Sequence, residues 1–171
     1  DLLERSPVPI VVPSGSCGDM IVHRYRELLA DDPAYAPKAE RVAARTYELS
    51  QYLVEVLKVE DVGAQCRRTI AYHPSCHLLR GLGVRAAPAR LLEGISGACC
   101  VPLSGAEDCC GFGGAFAVKM GELSSAILSR KLDAIVKSGA DTVVACDAGC
   151  LLHIEGGLRR RGSSVEVRHL A

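Results

Sequence analysis

Two adjacent cysteines, Cys109 and Cys110, run directly into Gly111-Phe112-Gly113-Gly114. A disulfide needs its two Cα atoms well apart, so neighbours in sequence are poor partners for each other. Both thiols can face one multinuclear metal centre if the backbone bends sharply. Glycine permits that bend and leaves room for a bulky inorganic group. The stretch points to a thiolate-bound iron–sulfur cluster, completed by cysteines from elsewhere in the chain.

The chain has nine cysteines in 171 residues, an odd count that includes two Cys-Cys pairs. Disulfide frameworks belong mostly to smaller, loop-rich, secreted chains. This sequence is rich in Ala, Leu and Val, with 49% hydrophobic residues, and reads as a globular, thiol-rich cytoplasmic protein. Twenty basic residues balance twenty acidic ones, which argues against bulk attraction to nucleic acid or anionic lipid. No apolar run reaches the length of a membrane span. The chain opens at Asp1 without an initiator Met, as the interior of a longer protein would.

Taken in order, Pro9 to Val12 reads as a buried strand, and a helix follows from about Cys17 to Ala30 with Ser16 as its cap. Cys17 then stands at a helix N-terminus, where the dipole favours a thiolate. Val42, Leu49, Leu53, Val56 and Leu57 predict one helix over 39–57. Val59 to Arg68 is a loop. Thr69 to Tyr72 is a strand ending in His73-Pro74-Ser75-Cys76-His77, and a short helix continues through Leu79. Ala87 to Leu92 is a helix and Cys99 to Leu103 a strand. Lys119 to Lys137 is a helix whose apolar face carries Met120, Leu123, Ile127, Leu128, Leu132, Ile135 and Val136, with Gly139 stopping it. Thr142 to Ala145 is a strand, a helix runs to about Arg160, and Ser164 to Val167 is a last strand at a sheet edge. Recurring strand–turn–helix units predict an α/β fold with a mainly parallel sheet. Val11 to Cys17 is echoed by Val144 to Cys150: in both, a strand ends and a cysteine begins a helix.

Parallel sheets carry their functional loops at the carboxyl ends of strands. Cys76, Cys109, Cys110 and Cys150 are all predicted at such positions. Cys76 lies 33 residues before Cys109, and Cys150 lies 40 after Cys110, each about one βα unit. Three loops can therefore converge on one centre. Thiolates suit iron–sulfur clusters, and the N–H groups of Gly111, Gly113 and Gly114 can hydrogen-bond to cluster sulfides and tune the potential. Cys146 is a further candidate whose register is one residue early. His73 and His77 flank Cys76, so zinc bound by cysteine and histidine is a rival; such histidines can also bond cluster sulfur, relay protons or cap a helix. His153, one turn after Cys150, has the same options. Cys99-Cys100 and Cys66 read as structural thiols. A dinucleotide loop is excluded because Phe116 fills the third glycine position. Arg159-Arg160-Arg161 fits a solvated helix end.

A cysteine, about thirty residues, Cys-Cys-Gly, about thirty-five residues and a final cysteine pair resembles the CCG cysteine-rich domain. That domain occurs in the B polypeptide of heterodisulfide reductase, in iron–sulfur subunits of glycolate and glycerol-3-phosphate oxidation, and in the lactate utilisation protein A family. Pro13 to Cys17, Tyr72 to Arg80, Cys109 to Gly114 and Gly149 to Leu151 are most similar to the last. The resemblance implies two pseudo-symmetric halves, with the end of a first CCG half in residues 1–62 and a second half with the cysteine site in 63–171. It implies a [4Fe-4S] cluster on Cys76, Cys109, Cys110 and Cys150, with Cys17 matching the last cysteine of the first motif. Asp147 stands where the reductase pattern has a cysteine, so four ligands fit better than five. The implied activity is electron transfer within an oxidoreductase complex converting L-lactate to pyruvate. The implied partners are other lactate utilisation subunits, one of them a ferredoxin-like iron–sulfur protein. Alternatives are a reductase-like component passing electrons to a thiol or quinone, and a zinc-stabilised interaction module.

Overall fold

The computed structural model describes residues 1–171 and is α/β, with every strand pairing parallel. In chain order, β1 (Ile10–Val12) leads into α1 (Gly15–Asp19), which continues through a π-helical turn, Met20–Arg24, into α2 (Tyr25–Leu28). Next come α3 (Ala36–Ala43), β2 (Thr46–Glu48), α4 (Leu49–Gln51) and a second π turn, Tyr52–Val56. Then follow β3 (Thr69–His73), a third π turn at His77–Gly81, α5 (Ala86–Glu93) and β4 (Cys99–Val101). The chain closes with α6 (Ala115–Lys119), α7 (Gly121–Lys137), β5 (Thr142–Ala145), α8 (Ala148–Arg160) and β6 (Glu166–His169).

Strands β1 and β2 form a small sheet of their own, and the main sheet has the order β4-β3-β5-β6. Both central strands are buried, as a parallel sheet covered on two faces requires. The alternation of side chains along a strand divides the core. Ala71 and Val143 face Leu128, Leu132 and Ile135 of α7 and Ile154 and Leu158 of α8. Ile70 and Val144 face the other way, toward Leu92 of α5. Cys146 continues that second face against Leu78, Val84, Ala87 and Leu91.

The single helix expected over 39–57 is instead α3, β2, α4 and a π turn. Three residues of strand interrupt it because the backbone of Ile10–Val12 needs a partner, and Thr46–Glu48 supplies one. Thr46 also ends α3 by donating its hydroxyl to the Val42 carbonyl at 2.8 Å. This pairing is non-local, so local periodicity could not reveal it. The helix expected over 119–137 breaks at Met120, whose backbone (φ −127°, ψ 50°) is not helical. Met120, Leu123 and Val136, expected on its buried face, are exposed, whereas Ser124 and Lys131 are buried. The last strand falls at Glu166–His169, on the edge of the sheet.

Glu48 is almost fully buried and caps α4 by accepting from the Ser50 amide at 2.8 Å, the Gln51 amide at 3.3 Å and the Ser50 hydroxyl. Burial pushes its carboxyl above the ordinary range despite these donors. The native state therefore binds this proton more tightly than the unfolded chain. The resulting stability is fully present below the unfolded carboxylate pKa of about 4.3 and is lost as pH rises through the raised folded value. Glu48→Gln is expected to remove that loss. Urea midpoints measured from pH 4 to 7 check it, and parallel curves for the two proteins would contradict it.

Candidate metal centre

His73 ends β3, and the alternation that points Ala71 toward α7 and α8 points His73 to the same face. Cys110 lies in the loop between β4 and α6, and Cys150 is the third residue of α8. A ring nitrogen of His73 and the sulfurs of Cys110 and Cys150 all lie within 4.8 Å of one another, and all three residues are buried. This triangle is the densest donor cluster of the chain. Sequence reasoning placed both cysteines here but left His73 among several roles.

Cys76 and Cys109 are half-buried beside it. Burial raises the Cys76 thiol, and the neighbouring charges of Cys109 and Cys110 add to the shift. Cys76 in turn acts on Cys150. Cys76, Cys109-Cys110 and Cys150 thus follow β3, β4 and β5 in the chain, and of the four it is Cys110 and Cys150 that close on His73. All nine cysteines of the chain are free thiols.

Cys110 and Cys150 lie close enough to shift each other's ionisation in opposite directions. The adjacent Cys150 thiol lowers the Cys110 thiol against the opposing effect of burial, and nearby His73 adds to the lowering. The neighbouring Cys110, together with burial, pushes Cys150 far above the ordinary thiol range. Of the two sulfurs Cys110 is the more readily ionised, and metals bind thiolates rather than thiols.

The glycine turn is held from α7. Gly111 adopts φ +92°, and a Cβ there would sit 2.6 Å from the Ser124 carbonyl oxygen. The Ser124 hydroxyl donates to the Gly111 carbonyl at 2.7 Å, leaving its oxygen to accept from His153 Nε2–H at 3.3 Å. The Gly111 amide donates to Cys109 Sγ at 3.2 Å. Gly113 and Gly114 are exposed and turn the chain into α6. Lys131 anchors the preceding loop through the carbonyls of Gly105 (2.6 Å) and Ala106 (3.1 Å). Burial lowers its ammonium, and Asp108, Cys110, Cys109 and Cys150 draw it back up. A cation thus backs the thiolates. The signal for Ser124 and Lys131 was present in the sequence: they share a helical stripe with Leu128 and Ile135, so polar residues there had to find buried partners.

The other candidates lie elsewhere. Cys146 is fully buried on the opposite face of the sheet, its sulfur 3.9 Å from the Tyr72 hydroxyl, and burial pushes its thiol up to about 12. Cys17 is exposed. His77 reaches away from the triangle to the buried Asp19 carboxylate at 2.9 Å. Cys99 and Cys100 lie exposed on the edge strand β4, and Cys66 is half-buried in a loop.

The echo between Val11–Cys17 and Val144–Cys150 is present in three dimensions. Cys17 is the third residue of α1, as Cys150 is of α8, and both helices start from an extended residue, Ser14 and Asp147. The Asp147 carboxylate joins these starts. It accepts from the Gly149 amide at 3.1 Å, the Ser16 amide at 2.8 Å and the Ser14 hydroxyl at 3.3 Å. The Ser16 cap expected from the sequence is therefore displaced: Ser14 occupies that position, and its hydroxyl bonds across to Asp147. Gly15 makes the approach possible, because a Cβ there would lie 2.8 Å from the Leu78 amide nitrogen and the Ser75 hydroxyl. Asp147→Ala removes a cap and a cross-link, and is expected to cost about 1–3 kcal/mol, with Asp147→Asn costing less. Urea denaturation of the two variants measures this, and unchanged midpoints in both would refute the role.

Residues 70–155 match the CCG family model, described as a cysteine-rich domain. The chain is 48% identical over 162 residues to lactate utilization protein A of Shouchella clausii, covering 95% of this chain and 67% of that protein. The chain belongs to the CCG cysteine-rich domain family. Similar relatives are the proteins named lactate utilization protein A of Geobacillus kaustophilus, 48% identical with 95% and 67% coverage, and of Lysinibacillus sphaericus, 44% identical with 95% and 71% coverage. The chain spans about two thirds of the length of these CCG relatives. The match begins in β3 and ends in α8, so the CCG domain encloses every member of the donor cluster.

Whether these residues suit a metal is a matter of donor chemistry. Two thiols and an imidazole converge, with Cys109 on the adjoining turn accepting from the Gly111 amide and the buried Lys131 holding the preceding loop. Soft anionic sulfur favours iron–sulfur clusters and zinc over calcium or magnesium. The residues fit such a group. No helix is long and apolar enough to cross a membrane.

Proposed function

We propose that the chain is an iron–sulfur electron-transfer component of a system oxidising L-lactate to pyruvate. The observation that carries this reading is the convergence of Cys110 and Cys150 on one buried donor cluster, with Cys76 and Cys109 beside it, in a chain whose relatives are named for lactate utilization. Cys76, Cys109, Cys110 and Cys150 would hold a [4Fe-4S] cluster, which supplies one-electron transfer when bound. The protein's own part is electrostatic. Lys131 offsets thiolate charge, the Gly111 amide donates to Cys109 Sγ, and α7 and α8 exclude water from the inner side. Residues 1–62 read as the end of a first CCG half and 63–171 as the second. Other lactate utilization subunits, including a ferredoxin-like one, would deliver and remove electrons in the cytoplasm.

A second reading is a zinc-stabilised interaction module, favoured by the tight grouping of one histidine with two cysteines. Anaerobic purification followed by iron, acid-labile sulfide and zinc analysis separates the two. Stoichiometric iron and sulfide are expected. Stoichiometric zinc without sulfide would overturn the iron–sulfur proposal.

A further inference from the structure

His73 is 1% exposed, and neither of its ring nitrogens has a hydrogen-bond partner. A buried polar group left unpaired costs on the order of 1–3 kcal/mol, so this placement needs a reason. The neighbouring histidines show the contrast. His77 is paired with Asp19, and His153 is bonded to Ser124. His73 has instead the sulfurs of Cys110 and Cys150, within 4.8 Å. Ligand atoms around one tetrahedral metal, at bond lengths of about 2.0–2.3 Å, stand roughly 3.5–3.8 Å from one another. A small contraction of the triangle would therefore bring all three donors onto one metal ion, whereas the irons of a cluster would take them one each. Neutral imidazole nitrogen is a common partner of thiolate for zinc and iron.

We infer that His73 is a ligand of the centre, giving one ring nitrogen to metal beside Cys110 and Cys150. The inference rests on the reading that the CCG site holds metal, but not on which metal. Its chemical consequence is a donor set in which imidazole takes one of the four positions, in place of Cys76 or Cys109, and that position is neutral. A centre with imidazole in place of thiolate carries one negative charge less and is reduced more readily. The buried Lys131 ammonium acts in the same direction. His73 would thus make this a more oxidising centre than one ligated by cysteine alone.

The test uses the full chain labelled with ¹⁵N-histidine and reconstituted anaerobically with ferrous iron and sulfide. Pulsed EPR of the paramagnetic state is expected to show a directly bonded nitrogen. That coupling should vanish in His73→Gln and persist in His153→Gln. His73→Cys should retain the cluster at a lower midpoint potential. A cluster with no nitrogen coupling in the native chain would overturn the His73 assignment and leave the iron–sulfur reading standing. A parallel arm adds Co(II) alone, as a spectroscopic substitute for zinc. A mixed sulfur–nitrogen tetrahedral spectrum that depends on His73, in a chain that takes up no sulfide, would uphold His73 and overturn the iron–sulfur reading. Metal uptake no greater than that of Cys110→Ser in either arm would overturn both.

Discussion

Cys110→Ser is expected to abolish the metal centre while leaving the fold in place. Cys110 is the sulfur of the buried triangle whose ionisation Cys150 and His73 favour. Serine keeps nearly the same volume, so the core around Leu128 and Ile154 remains filled. In the metal-free chain the change is confined to one buried sulfur exchanged for oxygen, about 1 kcal/mol. What is lost on reconstitution is far larger, because an alcohol neither ionises near neutral pH nor matches soft metals. Iron and sulfide content should fall to background while the far-ultraviolet circular dichroism is unchanged. Retention of a full complement of iron would show that Cys110 is not a ligand.

The second large effect is on the turn itself. Gly111→Ala combines two penalties that do not relieve each other. The backbone stays at φ +92°, where an L side chain is strained by about 1–3 kcal/mol. The new methyl meets the Ser124 carbonyl at 2.6 Å and the Leu128 amide nitrogen at 3.2 Å, both part of the α7 backbone and unable to swing aside. Overpacking of this kind costs about 1–3 kcal/mol. Roughly 2–6 kcal/mol in total corresponds to a melting temperature lower by about 4–24 °C for a chain of this size. A drop of less than about 2 °C, well below that range, would mean that the loop can rearrange freely, and with it the placement of Cys109 and Cys110.

The features legible in the sequence were those written locally. The strand that ends at His73, the glycine turn after Cys110 and the helix carrying Cys150 each have their own turn and cap residues, so their convergence could be expected from parallel topology. Thr46–Glu48 was hidden because its reason for being a strand lies 36 residues earlier, in Ile10–Val12. His73 was visible as a residue beside a cysteine. Its importance depended on strand alternation, which turns it toward Cys150 while sending Tyr72 toward Cys146. Cys146 illustrates the same point from the other side. It is four residues from Cys150, yet the step from strand to helix between them puts the two thiols in different cores. Asp147 read as a gap in a ligand pattern. In the folded chain its carboxylate is fully engaged with three donors.

That engagement has a mechanical side. The carboxylate that fixes the first turn of α8 also grips the first turn of α1, so the two turns behave as parts joined by a rivet. Cys150 hangs from one of them inside the protein, and Cys17 from the other in solvent. An adjustment of α8 would reach the backbone amide next to Cys17 through this one carboxylate, with no intervening side chain to absorb it.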